Sequence, residues 1–390
     1  MAPKKKNEQT GPVNTIMSES EIKADFSKRF GEGSIFTFED DNQAVSVFPI
    51  PTGIPTIDYA SGVGGLPLGR VVEVYGPESA GKSILALSVV AQAQRISREV
   101  PDSPIYGRKV LYVDAENALD KIHMKNLGCD LSQIMISQPD HAEQALDMVE
   151  VACHSKQFSV IVIDSVPALV PKRILEGSNE DQTMGVLAKL LSQGISKIIK
   201  PANTSDTLVI FINQVREKVG AFSSYGTPET TPGGRALKFY SSMRLDVRRK
   251  EIKKGDVSVG QETTVRFKKN KLSAPFTSAV YNYMWDGGVD LIQNVMQVAM
   301  DLDIIKRAGA YYYYGEDSKN PLTDGAGNQL KWMGKDAVEA VLKASPELYA
   351  YTNDIVQGRI PKDAVYVSED NSQDEIDEES AESEEITLNI

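Results

Sequence analysis

Metal-binding side chains are scarce in this chain, which has two cysteines and three histidines among 390 residues. Cys129 and Cys153 lack metal-ligand spacing, and one isolated pair in so long a chain makes no disulfide framework. His123, His141 and His154 form no metal motif either. Reduced thiols in a cytoplasmic protein are the expectation. Long apolar runs are missing too: none approaches the ~20 residues that span a bilayer. The opening residues, Met1 to Glu8, have no apolar segment, which argues against a secretory signal. A basic excess is also absent, since the formal net charge is −12. That total is uneven. Ser368 to Ile390 hold ten acidic residues and no lysine or arginine, so the rest of the chain is near neutral and holds all 42 basic residues. Local basic surfaces for nucleic acid therefore stay open to it.

What is present is an ordinary globular composition, 41% hydrophobic and 25% charged, over a length that supports one large core and smaller appendages. Residues 1–17 read as a flexible leader. In 18–50, Ser18 to Arg29 places Ile22, Phe26 and Phe30 at helical spacing before Gly31, and a Gly/Pro-rich linker follows. Residues 51–289 form the main domain. Its apolar strands, Val110 to Asp114, Val160 to Asp164 and Thr207 to Ile212, alternate with helices over Ala142 to Ala152 and Met184 to Ile199. That pattern predicts an α/β fold with a mainly parallel central sheet covered on both faces. Residues 290–365, with helices over Leu291 to Met300 and Gly334 to Lys343, predict a small C-terminal α/β domain; 366–390 reads as an acidic disordered tail. The run Tyr311 to Tyr314 invites base stacking, but rings packing on a core and a surface are the favoured reading.

One motif carries chemistry by itself. Gly76-Pro77-Glu78-Ser79-Ala80-Gly81-Lys82-Ser83 is a complete G-x-x-x-x-G-K-[ST] phosphate loop. The strand Val71 to Tyr75 precedes it and a helix from Ile84 to Ala93 follows, so backbone N–H groups and a helix dipole converge on one anion site. The chain should bind a nucleoside triphosphate. Lys82 would reach the β- and γ-phosphates, and Ser83 would face Mg²⁺. In an open α/β sheet, ligands lie beyond the carboxyl ends of the strands. Asp164 ends one strand as a Walker B carboxylate does and would bind Mg²⁺ through water, Glu116 follows another and would orient and deprotonate the attacking water, and Gln214 ends a third and would contact the γ-phosphate. Past Gln214 run Arg216, Lys218, Gly220, Gly226, Pro228, Pro232, Gly233 and Gly234, a loop whose order could follow the nucleotide state.

At these residues the chain resembles the RecA-family recombinases. The similarity runs from Phe30-Gly31-Glu32-Gly33 to about residue 345. It includes Gly64 to Arg70, the phosphate loop, Asp114-Ala115-Glu116, Ser137 to Asp140, Phe211 to Gln214, Pro228 to Thr231, Ala236 to Tyr240 and Lys269-Asn270-Lys271. The C-terminal place of the small domain fits the bacterial and bacteriophage branch. The resemblance implies a RecA-like ATPase core using ATP and Mg²⁺. It also implies a helical homo-oligomeric filament on single-stranded DNA and strand exchange with homologous duplex DNA. Single-strand-binding and loader proteins are candidate partners, with no membrane and a bacterial or phage-encoded cytoplasmic setting.

By the same resemblance the Ser18 to Phe30 helix would dock on the adjacent protomer and set polymerisation. Glu176 to Met184 and Val215 to Gly234 match the two DNA-binding loops. Met184 and Val219 would wedge between base triplets, Lys189, Lys197, Arg216 and Lys218 would face DNA, and Gly233 and Gly234 would close the second loop. Lys238, Phe239, Lys269 and Lys271 match the protomer interface, the last two reaching a neighbour's γ-phosphate. Asp120, His123 and Trp285 fall at nucleotide-binding positions, where His123 and Trp285 each replace a tyrosine. Tyr225 stands for a phenylalanine, and Ser196 and Thr264 for arginines. An added segment near Ser97 to Gly107 lengthens a surface connection.

A filament-forming regulator without strand exchange and a hexameric helicase are the other classes compatible with such a core. The acidic tail has two readings, solvation of the C-terminus or competition with DNA. Deleting Ser368 to Ile390 separates them: an inhibitory tail predicts easier duplex binding and a lower Mg²⁺ requirement, whereas unchanged binding across a Mg²⁺ titration leaves the tail as a solvating segment.

Overall fold

The computed structural model describes residues 16–35, 37, 47–177, 185–217, 229–324, 327–362 and 366. It divides into two units, 1–47 and 48–390. In the first, α1 (Glu19–Phe30) begins at a capping box in which the Ser18 hydroxyl accepts from Glu21 N–H and the Glu21 carboxylate accepts from Ser18 N–H. Glu19 and Glu21 lie in the first turn and Lys28 and Arg29 in the last, matching the helix dipole. Phe26 and Phe30 meet edge-to-face at 5.4 Å. Both rings are exposed, and no residue of α1 is buried.

The second unit opens with β1 (Pro49–Ile50), α2 (Pro55–Ser61) and β2 (Leu66–Pro67). Strands and helices then alternate: β3 (Val71–Gly76), α3 (Lys82–Glu99), β4 (Lys109–Asp114), α4 (Lys121–Asn126), β5 (Ile134–Ser137), α5 (Ala142–Ser155), β6 (Phe158–Asp164), α6 (Lys172–Glu176), α7 (Val186–Thr204) and β7 (Leu208–Gln214). The short β8 (Arg216–Glu217), β9 (Glu229–Thr230) and α8 (Ala236–Tyr240) lead into β10 (Met243–Lys254), β11 (Val257–Asn270), β12 (Ser278–Met284) and β13 (Gly288–Val289).

These build a nine-stranded sheet of order β13-β12-β11-β10-β3-β7-β6-β4-β5. From β10 to β5 every pairing is parallel, as the strand–helix alternation predicts. From β10 to β13 the pairings are antiparallel. Periodicity hides that half, because β10 is apolar only at its start (Met243, Leu245, Val247) and then turns into the charged run Arg248 to Lys254. Side chains alternate faces as pleating requires. Val110, Tyr112, Val160 and Val162 join α3 in one core, and Leu111, Val113, Ile161 and Ile163 join α5 and α7 in another. The Ser97 to Gly107 segment is more than a surface connection: its first residues complete α3, and Ile105 is fully buried in the α3 core.

The chain continues through α9 (Leu291–Asp301), β14 (Ile305–Ala308), β15 (Tyr311–Tyr314), β16 (Lys331–Met333), α10 (Lys335–Ala344) and α11 (Pro346–Val356), which share a core of their own. The tyrosine run is β15. Tyr313 and Tyr314 are both buried, because the following segment folds over the strand end through Leu322 N–H to Tyr314 O at 2.9 Å. Thr56 Oγ1 donates to Asn294 Oδ1 at 2.7 Å, fastening α2 to α9.

One buried charge stands out in α2. Asp58 accepts from Thr52 N–H at 2.7 Å through Oδ1, while Oδ2 has no partner among the described residues. Arg95 and Arg359 line the same small cavity but are engaged with Glu99 at 3.7 Å and Asp354 at 2.7 Å. Burial pushes the Asp58 carboxyl from 3.8 to about 7. Between those values the folded chain holds a proton that the unfolded chain has released, so stability falls as pH rises through this window. Asp58→Asn is expected to flatten that fall, melting several degrees above the parent at pH 8 and close to it at pH 4. Calorimetric melts at the two pH values check this; parallel pH dependences would contradict it.

Candidate active site

The phosphate loop turns between β3 and α3 under tight steric control. A Cβ on Gly76 would lie 2.1 Å from Val247 O of β10, and Gly81 sits at φ +94° as the N-cap of α3. No side chain caps α3, so its first-turn N–H groups are left for an anion. Lys82 is buried and its Nζ donates to Pro77 O at 2.5 Å. Burial lowers its pKa, opposed by the charges of Asp164, Glu116 and Glu78. An uncapped helix start with a buried lysine folded over it fits a polyphosphate chain.

Three further strand ends converge there. Ser83 Oγ donates to Asp164 Oδ2 at 2.9 Å, and Tyr112 OH donates to the same oxygen at 2.7 Å. Burial raises the Asp164 pKa, partly offset by these two hydrogen bonds. The Asp164–Ser165 peptide is cis, and Ser165 Oγ donates to Glu116 Oε1 in a short contact. Asp114 accepts from Gln138 Nε2 at 3.2 Å and from Ala118 N–H at 3.3 Å, holding the turn that bears Glu116. Gln214 pairs in register with Gly76, beside the loop. A hydroxyl and a carboxylate 2.9 Å apart are hard oxygen donors of the kind Mg²⁺ takes alongside water.

Lys82, Ser83, Glu116, Asp164 and Gln214 are thus brought together. Other sequence candidates are not. Asp120 caps α4, its carboxylate accepting from Ile122 N–H at 2.8 Å, with half-buried His123 one helical turn on. Trp285 follows β12 on the part of the antiparallel hairpin that runs past the level of Gly76, since β10 pairs with β3 only over Met243 to Asp246. Its indole N–H donates to Ser258 Oγ at 3.3 Å. Lys271 lies at the opposite end of the sheet, its N–H on Ser242 O at 3.0 Å where β10 begins. Lys269 Nζ donates to Lys238 O and Phe239 O at 2.8 and 2.9 Å. Lys189 and Lys197 are exposed on α7, the latter 3.9 Å from Glu150, and Arg216 is exposed on β8. Met184, Lys218, Val219 and Tyr225 lie outside the described residues.

Gly233 and Gly234 close the second loop against α7. Both have positive φ, and added Cβ atoms would lie 2.4 Å from Leu191 Cδ1 and 2.8 Å from Ala188 Cβ. Sequence reading missed Tyr112 and Ser165, and with them a trio built around a buried carboxylate at the centre of the sheet. Glu73 of β3 is fully buried; it accepts from Asn213 Nδ2 at 2.9 Å and pairs closely with Arg244 of β10. Asn213 also donates to Pro232 O at 3.2 Å and accepts from Gln214 N–H at 3.0 Å. The signal was available as charges inside strand-like runs, Glu73 alone in Val71 to Tyr75 and Arg244 alternating with Asp246 in Met243 to Val247.

Comparison with known proteins finds one family over most of the chain. A family model described as the RecA N-terminal domain matches residues 18–290. Protein RecA of Tropheryma whipplei (strain Twist) is 45% identical over 295 residues, covering 75% of this chain and 64% of that protein, just under two thirds. Protein RecA of Thermus aquaticus is 43% identical over 323 residues, covering 82% and 88%. That of Heliobacterium modesticaldum is 40% identical over 333 residues, covering 85% and 89%.

Removing the Glu73 carboxylate leaves Asn213, fully buried, and Arg244, half-buried, without their shared partner. Glu73→Ala is expected to destabilise by about 3–5 kcal/mol, and Glu73→Gln, which keeps an acceptor, by clearly less. Denaturant unfolding of the two variants checks the order, and equal losses would contradict it.

Proposed function

The chain belongs to the RecA family of recombinases, and from that premise we propose that it is a DNA-dependent ATPase that assembles on single-stranded DNA and exchanges strands with homologous duplex. The observation that supports this best is the convergence of Lys82, Ser83, Glu116, Asp164 and Gln214 on an uncapped helix N-terminus. The α3 N–H groups and Lys82 hold the phosphates. Mg²⁺, when bound beside Ser83 and Asp164, supplies charge neutralisation to the triphosphate. Glu116, held by Ser165, orients the attacking water and accepts its proton at the carboxylate. Gln214 reads the γ-phosphate. Because Asn213 binds both Gln214 N–H and Pro232 O, that reading is passed to the end of the second DNA loop.

The filament follows from what one copy leaves open. Among the described residues strand β5 is an unpaired edge of the nine-stranded sheet, flanked by a groove of about 630 Å³ with Met135, Ile136 and Val151 exposed. An open edge beside apolar side chains invites a partner chain. We assign it the N-terminal unit of an adjacent protomer, whose α1 offers Phe26 and Phe30. Lys271 lies level with the start of β3, ~16 Å along the strand from Gly76 at ~3.3 Å per residue, and Lys269 level with Glu73, ~10 Å from it; both would serve a neighbour's phosphates rather than their own. Asp120, His123 and Trp285 complete the nucleotide site, and Lys189, Lys197, Arg216, Lys218, Met184, Val219, Gly233 and Gly234 the DNA surface.

ATP hydrolysis measured with and without single-stranded DNA, across protein concentrations, tests the proposal. Strong stimulation with cooperative concentration dependence is expected. Lys82→Ala should abolish it, and Glu116→Gln should bind ATP with turnover reduced at least ~100-fold. Hydrolysis indifferent to DNA would instead favour a regulator or another motor.

A further inference from the structure

Tyr112 occupies a position where a hydrophobic ring would suffice. It lies on β4 among the apolar side chains of the α3 core and is fully buried. A hydroxyl there is unfavourable unless it finds a partner. It finds one: Asp164 Oδ2 at 2.7 Å, with no other partner among the described residues.

Ser83 Oγ donates to the same Asp164 oxygen at 2.9 Å. Two donors from different elements, the first turn of α3 and the middle of β4, therefore pin Oδ2. Oδ1 accepts no hydrogen bond from the described residues. A carboxylate held through one oxygen has its rotation fixed and its second oxygen aimed. Resting on the reading of Ser83 and Asp164 as the Mg²⁺ side of the site, we infer that Tyr112 is a positioning residue for magnesium, orienting the Asp164 carboxylate from beneath the sheet through a buried phenol–carboxylate hydrogen bond.

The prediction separates metal dependence from nucleotide binding. Tyr112→Phe keeps the ring and removes the donor. A fluorescent ATP analogue is titrated with MgCl₂ on the full chain without DNA, and binding of the same analogue is measured in EDTA. The half-saturating Mg²⁺ concentration is expected to rise about tenfold, as for other groups that orient metal-side ligands, while affinity in EDTA stays within twofold. A Mg²⁺ midpoint within twofold of the parent overturns the inference, as does an equal loss with and without Mg²⁺, which would mark Tyr112 as a packing residue.

Ser83→Ala is the reference. If it shifts the midpoint and Tyr112→Phe does not, the positioning role fails and the site reading stands; if neither shifts it, both fail. Should Tyr112→Phe not fold, 3-fluorotyrosine placed at position 112 gives a second readout. Its ¹⁹F resonance is expected to move with ADP and MgCl₂ but not with ADP in EDTA, and an unmoved resonance overturns the inference.

Discussion

Everything near the phosphate loop depends on one buried carboxylate. Strand β3 delivers the loop, and its neighbours β7 and β10 deliver Gln214 and the stretch whose Val247 O lies against Gly76. Backbone ladders alone set spacing, but Glu73 ties the side chains of both neighbours to the central strand, through Asn213 on one side and Arg244 on the other. A lone carboxylate at full burial would be ruinous; paired with a guanidinium and an amide, it becomes a positional constraint. Arg244 also stacks over the Tyr75 ring at 4.5 Å, at the last position before the loop. The strand end is thereby held from both flanks.

From this pivot a connected set of contacts reaches the loops. Asn213 holds Pro232 O, and the glycines that follow press onto α7 at Leu191 and Ala188. Helix α7 in turn starts just past the first loop segment, so both loop ends meet one helix. A side chain at Gly233 or Gly234 would force them apart. Charge is arranged with the same logic. Burial lowers the Lys82 pKa and raises that of Asp164. Each charged form is therefore disfavoured in the isolated pocket, and phosphates and a divalent cation, when bound, would supply the countercharges.

The phosphate loop was legible because its chemistry and its strand–helix context are both local, and the parallel strands because burial on two faces makes continuous apolar runs. Asp164, Glu116 and Gln214 followed as polar residues ending such runs. The antiparallel half was illegible for a physical reason: β10 and β11 leave the core midway and become charged, so no single periodicity describes them. Tyr112 and Glu73 were hidden differently. Each lies inside an apolar run, and its role depends on a partner distant in sequence, Asp164 for one and Asn213 and Arg244 for the other. The resemblance gave roles to Lys269 and Lys271 that spacing alone could not.

Where those lysines lie bears on why such a chain would work as an assembly. At the loop end of the sheet, the side chains that converge are one lysine, one serine, two carboxylates and a glutamine. A polyphosphate in that pocket would face a single fixed positive side chain from the parallel strand ends. Lys271 sits at the other end and Lys269 level with Glu73, where Lys269 is held by two backbone carbonyls and its pKa is lowered by burial, by Lys271 and by Arg244. Crowded cations gain from an anion brought among them. In the proposed filament, a copy stacked end to end would present such an anion, so each nucleotide would relieve repulsion in the next protomer while that protomer completed its site. On that proposal, assembly and triphosphate binding would be two sides of one electrostatic balance, and hydrolysis, by removing the terminal phosphate, would loosen the contact that made it possible.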